Sequence, residues 1–369
     1  MYALFMQKAC GESGRTIFVG LSGGVDSAVS AALLKKQGYN VVGCFIKIWQ
    51  PEFIECSWRE DRLDAMRVAT SLSIPFREID FSDEYKREVV EEMVRDYARG
   101  ITPNPDVLCN TSIKFGHFLK WAVGEGADHI ATGHYARIER EGNALTLKRG
   151  KDPNKDQSYF LYRLGQEELS RTMFPIGDLT KTEVRSFAKK FHLPNAEKPD
   201  SQGLCFVGDV SMRDFLARFI PIKSGTVVDM SGKTIGEHQG AVLYTIGQRH
   251  GFTVHESNST GIHHVVSVDV KHNTITVSKN RSDAGQRKAY LENIHWIGTT
   301  PTLPLEAKIQ ARYRETPIKA TIQDERGTIS VRTKEHHIFS PGQSLVIYQA
   351  DTCIGGGIIT IPGRKFDKV

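Results

Sequence analysis

The chain has little that would staple it together or anchor it. Its six cysteines, spread over 369 residues, are Cys10, Cys44, Cys56, Cys109, Cys205 and Cys353, with no C-x-x-C pair and no Cys/His group at zinc spacing. A disulfide framework, a structural metal or an iron-sulfur cluster is therefore not expected, and no metal ligands are assigned. No run approaches the roughly 18 apolar residues of a membrane span. The opening MYALFMQKACGESGR lacks the basic, apolar and small-residue order of a signal peptide, so a cytoplasmic protein with no membrane partner is expected. Internal repeats, low-complexity tracts and coiled-coil heptads are absent too. Charge of neither sign dominates: the net charge is +5, which suits a polyanionic partner as well as it suits a solvated mixed surface. The length exceeds what one core usually spans, so two or three domains are expected.

What is present is organised around Gly20, Leu21, Ser22, Gly23, Gly24, Val25, Asp26 and Ser27. Before this GLSGGVDS stretch, Thr16 to Leu21 is a short apolar run suited to a strand buried on both faces. After it, Ala28 to Leu34 continue at helical spacing to Lys35, Lys36 and Gly38, a basic last turn and a glycine stop. The glycines let the backbone turn sharply at a helix N-terminus, where N–H groups and the helix dipole favour an anion. A Walker loop is excluded, because it needs a Lys followed by Ser or Thr after a longer glycine loop.

Further apolar strands are expected at Asn40–Trp49, with Cys44 a core residue, and at Pro75–Asp80. Between them Ser57 to Glu60 reads as a capping box, and Ser82 to Arg99 as a long amphipathic helix. Alternation of strands and helices predicts a parallel, doubly wound sheet that binds ligands beyond the C-terminal ends of its strands. Next, Pro103 and Pro105 argue against regular helix in ITPNPDVLCN, which places Cys109 just before a helix from about Ile113 to Val123. A helix N-terminus lowers a thiol's pKa, whereas Asp106 three residues earlier would raise it, and an ordinary cap with a buried thiol is an equal reading. In HIATGHY, Gly133 suits close approach by an adenine or ribose, although local evidence favours a simple strand end with His134 paired in the core. Arg137 to Lys148 reads as a hairpin turning at Gly142 and Asn143, and Thr180 to Glu183 as a second capping box. Asp200 to Asp209, DSQGLCFVGD, is a polar loop carrying Cys205.

Beyond Ser211 the pattern changes. One short helix, Met212 to Ile220, precedes period-two strands at Gly225–Met230, Gly240–Thr245, His263–Val270 and Thr274–Ser278. Strands at Glu306–Tyr313, Ile318–Gln323, Thr328–Thr333 and Ser344–Gln349 suffice for a small β-barrel. The expected domains are an α/β catalytic domain over 1–210, a small central domain over 211–285 and a C-terminal β-barrel over 286–369.

Strand followed by SGGVDS resembles the pyrophosphate loop of the ATP pyrophosphatases, of the adenine nucleotide alpha hydrolase type. With PNPDVLCN, ATGHY, KDQSYFLY, DSQGLCFVGD, YTIGQRHG, ARYRE and SPGQS following in order, the chain from about Arg15 onward resembles the tRNA-specific 2-thiouridylases. That resemblance implies ATP-dependent replacement of the 2-oxygen of a wobble uridine by sulfur. It places ATP on Gly20 to Ser27, Ile46 and Gly133, with Mg²⁺ on the phosphates; the family commonly has Met where this chain has Ile46. It makes Cys109 the nucleophile, Cys205 the persulfide carrier and Asp106 the proton-transfer group. A Cys109–Cys205 disulfide would form during turnover. The target base would meet Asn104, Pro105 and Asp106, and the rest of the tRNA His134, Lys155, Asp156, Gln157, Arg312, Tyr313 and Gln343. A persulfide-donor protein is the implied partner, and a monomer the implied state. Two other classes compete. An AMP-forming ligase acting on a small molecule would share SGGVDS but have no use for the cysteine pair, and a noncatalytic RNA-binding protein would not keep the loop and both cysteines intact.

Overall fold

The apolar run TIFVG forms strand β1 (Thr16–Gly20), whose central three residues are buried. The computed structural model describes residues 14–53, 58–200, 210–255 and 261–360. They cluster into two units, one made of those within 14–89, 106–200 and 351–354, the other of those within 90–105, 210–350 and 355–360.

In the first unit, β2 (Asn40–Lys47), β3 (Phe76–Asp80) and β4 (His129–Ala131) follow β1. A hairpin of β5 (Ala136–Glu141) and β6 (Ala144–Arg149) and a short β7 (Thr172–Met173) complete its strands. Pairing in the order β3-β2-β1-β4-β7 is parallel throughout. The chain leaves β1 for β2 on one side and returns to β4 on the other, so the sheet changes direction beside β1. In such sheets that crevice is the ligand position, and Leu21–Gly24 lies in it. The helix Val25–Lys36 is small-residue-rich and buried along most of its length, from Val25 and Ala28 to Leu34. It packs in one core with β1, β2 and the helix Lys181–Lys190. Cys44 is fully buried in that sheet, which pushes its thiol up to about 12 against the pull of Arg77; it is a core residue as expected. The hairpin turns at Gly142, with φ +62°. Ser57 lies outside the described residues, so the first capping box does too. The second forms as read: Thr180 accepts from the Glu183 N–H, and the Glu183 carboxylate accepts from Thr180.

Three expectations are corrected. Helix starts at Pro105, not near Ile113, and continues as Pro105–Leu108, Cys109–Phe118 and Leu119–Gly124, the middle stretch in π-helical form. Proline is well placed at a first helical position, where no N–H is needed, and its bias against helix falls only on the preceding Asn104. In the second unit, Gly240–Thr245 is not a strand. Gly240 has φ +144° and opens a short 3₁₀ turn over Ala241–Leu243.

The second unit holds two all-β bodies. β8 (Gly225–Val228), β9 (Thr234–His238), β10 (Phe252–Val254), β11 (His264–Asp269) and β12 (Thr274–Ser278) form a five-stranded sheet over a core of Val227, Ile235, Val265 and Ile275. The helix expected over Met212–Ile220 is shorter, Met212–Leu216, capped by Ser211. Then β13 (Gln286–Trp296), β14 (Leu305–Gln310), β15 (Ile318–Glu325), β16 (Thr328–His337), β17 (Ser344–Gln349) and β18 (Thr352–Thr360) pair antiparallel, and β13 pairs with both β16 and β18, closing a six-stranded barrel.

Candidate active site

The glycine loop is held by its own hydroxyls and by its neighbours. The Ser22 N–H donates to Ser27 Oγ at 3.2 Å, and Ser27 Oγ donates to the Gly24 carbonyl at 3.1 Å. Gly24 stands at the N-cap and so offers no side-chain cap of its own, while its N–H donates to Ser22 Oγ at 3.4 Å. Gly23 has φ +75°, and a Cβ there would stand 2.4 Å from the Asp61 carbonyl oxygen, so no other residue fits. The buried Asn195 donates from Nδ2 to the Gly23 carbonyl at 2.9 Å, while Lys198 bridges Asp61 and Asp64 at 2.7 Å each. A Cβ on Gly133 would stand 2.7 Å from the Ser27 nitrogen. Gly133 is thus demanded first by the approach of the β4 loop to Asp26 and Ser27.

Beside the loop lies a charge network that local sequence did not announce. Asp26 receives the Tyr135 hydroxyl at 2.9 Å and the Lys181 ammonium at 2.7 and 2.9 Å. Lys181 also meets Asp200 at 2.7 Å, and Asp200 is gripped by Lys155 at 2.6 Å and Arg185 at 2.7 Å. Burial works against the Asp200 charge, yet the hydrogen bonds from Lys155 and Lys181 hold its carboxyl well below the usual carboxylate range. The Tyr135 hydroxyl is pushed far up, by burial and by Asp26. The residues involved are up to 174 positions apart, as Asp26 and Asp200 are, so only the fold brings them together.

The second region is the proline-started helix. Asp106 and Cys109, three residues apart in a helical stretch, share one face. Cys109 is half-buried, and burial pushes the Asp106 carboxyl up against the pull of Lys114. The same helix reaches the loop side of the sheet. Phe118 lies 3.8 Å from where a Gly20 Cβ would stand, and the Phe115 ring is 5.9 Å from that of His134.

The other expected residues divide between the units. Ile46 is half-buried in β2 opposite Ile79. His134 is 7% exposed, bonded through Nδ1 to the Thr132 hydroxyl at 2.8 Å, and burial followed by Lys114 drives its pKa well below 6.5. Asp156 is buried, accepting from the N–H groups of Gly150 and Ser158; the Gln157 side chain accepts from the Tyr135 N–H. In the second unit, Gln343 donates from Nε2 to the carbonyls of Thr102 and Pro103 at 2.9 and 3.0 Å, fixing the chain just before Asn104 and Pro105. Arg312 donates to the Ile246 carbonyl and to Ser340 Oγ, and Arg314 lies over the Tyr313 ring at 5.4 Å. Cys205 falls outside the described residues. Among the described residues no group of three or more His, Cys, Asp or Glu is assembled for a metal, and no helix is long and apolar enough to cross a membrane.

Three family models match in succession. They are described as tRNA methyl transferase HUP domain over residues 15–209, tRNA methyl transferase PRC-barrel domain over 213–279 and aminomethyltransferase beta-barrel domain over 286–359. The chain is 44% identical over 356 residues to the tRNA-specific 2-thiouridylase MnmA of Nitrosomonas eutropha, covering 93% of this chain and 98% of that protein. It is 43% identical over 361 residues to the protein of the same name from Stenotrophomonas maltophilia, covering 95% of each. A solved 4-thiouridine synthetase in complex with RNA and ATP is 17% identical, covers 56% of this chain and 50% of that chain, and superposes with a TM-score of 0.34, a likeness too partial to argue from.

Proposed function

The chain belongs to the tRNA-specific 2-thiouridylase family and is a tRNA-uridine 2-sulfurtransferase, and from that premise we propose how its residues divide the work. The observation that carries the proposal is the presence, in one unit, of an anion-binding glycine turn and of a helix that bears Asp106 and Cys109 and reaches Gly20 through Phe118. The domain descriptions speak of methyl transfer, but relatives matched nearly end to end are named for thiolation, and a phosphate turn beside a thiol suits ATP activation and sulfur.

A uridine carbonyl oxygen is a poor leaving group. The 2-oxygen therefore attacks the α-phosphorus of ATP, and pyrophosphate leaves into the turn Gly20 to Ser27. Forming the adenylated oxygen requires the base to give up its N3 proton, and a carboxylate whose pKa is raised is the better acceptor, which suits Asp106. Sulfur arrives as a persulfide on Cys205, from a donor protein. Its terminal sulfur attacks C2 and AMP departs. The Cys109 thiolate then attacks the Cys205 sulfur, so that the S–S electron pair passes to the new thiocarbonyl, N3 regains a proton and a Cys109–Cys205 disulfide is left for an external thiol to reduce. In the other route Cys109 attacks the inner sulfur of the Cys205 persulfide first, forming the same disulfide and expelling the terminal sulfur as sulfide, which then attacks C2. Mg²⁺ uses one or two carboxylates plus substrate phosphates, so Asp26 alone in the loop fits such an ion. The target base must leave its stack, a step that costs a few kcal/mol and least in an anticodon loop.

Contacts from Lys155, Arg312, Tyr313 and Gln343 to tRNA belong to the same proposal, as do a cytoplasmic location, a monomer and the 1–210, 211–285 and 286–369 division. Phosphate contacts make log affinity fall linearly with log salt; Arg312→Ala should lower tRNA affinity and reduce that slope in a titration across salt concentrations. The sulfur route is tested by loading each Cys→Ser variant with a sulfur donor and examining it by peptide mass spectrometry. Cys109→Ser should gain one sulfur on the Cys205 peptide, Cys205→Ser should gain none on Cys109, and neither should thiolate tRNA. A persulfide found mainly on Cys109 would reverse the roles.

A further inference from the structure

Lys181 holds a position that phosphate binding would use and that the motifs do not assign. Its ammonium touches both oxygens of Asp26 and one of Asp200, with its side chain only 15% exposed. Its backbone is fixed as well. Thr180 and Glu183 cap the helix Lys181–Lys190, Asp152 accepts the Lys181 N–H at 2.9 Å, and Val184 and Ala188 pack in one core with the helix that follows the glycine loop.

A role as mere counter-ion explains this poorly. Asp26 lies in the first turn of its helix, where the dipole already favours a carboxylate, and Tyr135 donates to it. Immobilising a lysine there in addition costs side-chain entropy. A triphosphate entering beside Asp26 and Asp200 meets two like charges, and needs cations at the same spot. Lys155, Lys181 and Arg185 converge on Asp200, and Lys181 is the one that also reaches the loop. The three donors of its ammonium rest on Asp26 Oδ1, Asp26 Oδ2 and Asp200 Oδ1, so a phosphate oxygen is taken on by exchange for one of these carboxylate oxygens.

We propose that Lys181 is an ATP-binding residue that contacts the β- and γ-phosphates, the portion released as pyrophosphate, and that Asp200 and the Thr180–Glu183 cap position it. The proposal rests on reading Gly20 to Ser27 as the ATP loop. It is tested by measuring ATP, pyrophosphate and AMP binding to the full chain. Lys181→Met should weaken ATP and pyrophosphate by about 10- to 100-fold, the effect of one charge-assisted hydrogen bond, leave AMP within about twofold, and be partly rescued by Lys181→Arg. The same change in an Asp26→Asn background separates contact from charge balance: a direct contact still loses at least about tenfold, whereas a counter-ion role loses nothing. Unchanged ATP and pyrophosphate binding, equal losses for ATP and AMP, or no loss in that background overturns the proposal. Should Lys181→Met fail to fold, Lys181→Gln gives the same readout. Ser22→Ala is the control for the underlying reading: if it too binds ATP normally, the loop assignment fails; if it loses ATP while Lys181→Met does not, only Lys181 is wrong.

Discussion

The two sides of the site use the same side chain, aspartate, in opposite surroundings. On the phosphate side, Asp200 is clasped by Lys155, Lys181 and Arg185 and is held ionised far below the usual range. On the thiol side, burial pushes the Asp106 carboxyl up. The first environment builds a fixed electrostatic frame; the second raises the proton affinity of its carboxylate, as a proton-accepting group requires. Residue type alone therefore says little about role here, and the neighbours decide it.

The contrast is sharpened most by Asp106→Asn. Thiolation should fall by about 10²- to 10⁴-fold, the usual scale for general acid–base groups. Stability should move the other way. A raised folded-state pKa means that the stabilisation is complete below the unfolded value of about 3.9 and is lost as pH rises through the folded value. At pH 7 the charged carboxyl therefore opposes folding, and the amide should be the more stable protein in urea titrations. An Asn variant that is less stable at pH 7 would break the comparison. Asp200→Asn should do the reverse. Its stabilising charge is present above about 3.9 and is lost as pH falls through the depressed folded value, so the variant should lose about 1.5–3 kcal/mol at pH 7 and progressively less as the pH is lowered through that range. A loss that stayed constant with pH would show that packing, not charge, is responsible. The smallest effect is expected of Thr180→Ala, which removes the cap that positions Lys181. It should cost about 1 kcal/mol in the same titration and raise the KM for ATP without altering kcat by more than about twofold; a fall in kcat alone would separate the cap from nucleotide binding.

Much of this arrangement is legible in the chain. An apolar run, a glycine turn and a small-residue helix announced β1 and its loop, and S/T-x-x-E at Thr180 to Glu183 announced the cap the structure shows. The start of the Cys109 helix was missed because the two prolines were weighed alike, although Pro105 is itself the first helical residue. Strand β18 is not among the expected strands. A Cβ on its Gly355 would stand 2.1 Å from the His295 carbonyl oxygen and one on Gly357 2.9 Å from that of Glu292. They are glycines because β13 passes too close where the barrel closes. Lys181, Tyr135 and Asn195 left no local signal at all. Each meets its partner across more than 100 positions, and no periodicity or spacing encodes such a contact.

The central claim, that one unit couples ATP cleavage to sulfur transfer onto a tRNA uridine, is tested most directly by stoichiometry. The full chain is given ATP, a persulfide donor, an external thiol and unmodified tRNA, and AMP, pyrophosphate and 2-thiouridine are counted together, the last by nucleoside mass spectrometry. One AMP and one pyrophosphate should appear for each 2-thiouridine, and almost none without tRNA. Pyrophosphate release that proceeds equally well without tRNA, or 2-thiouridine formed without ATP, would contradict it.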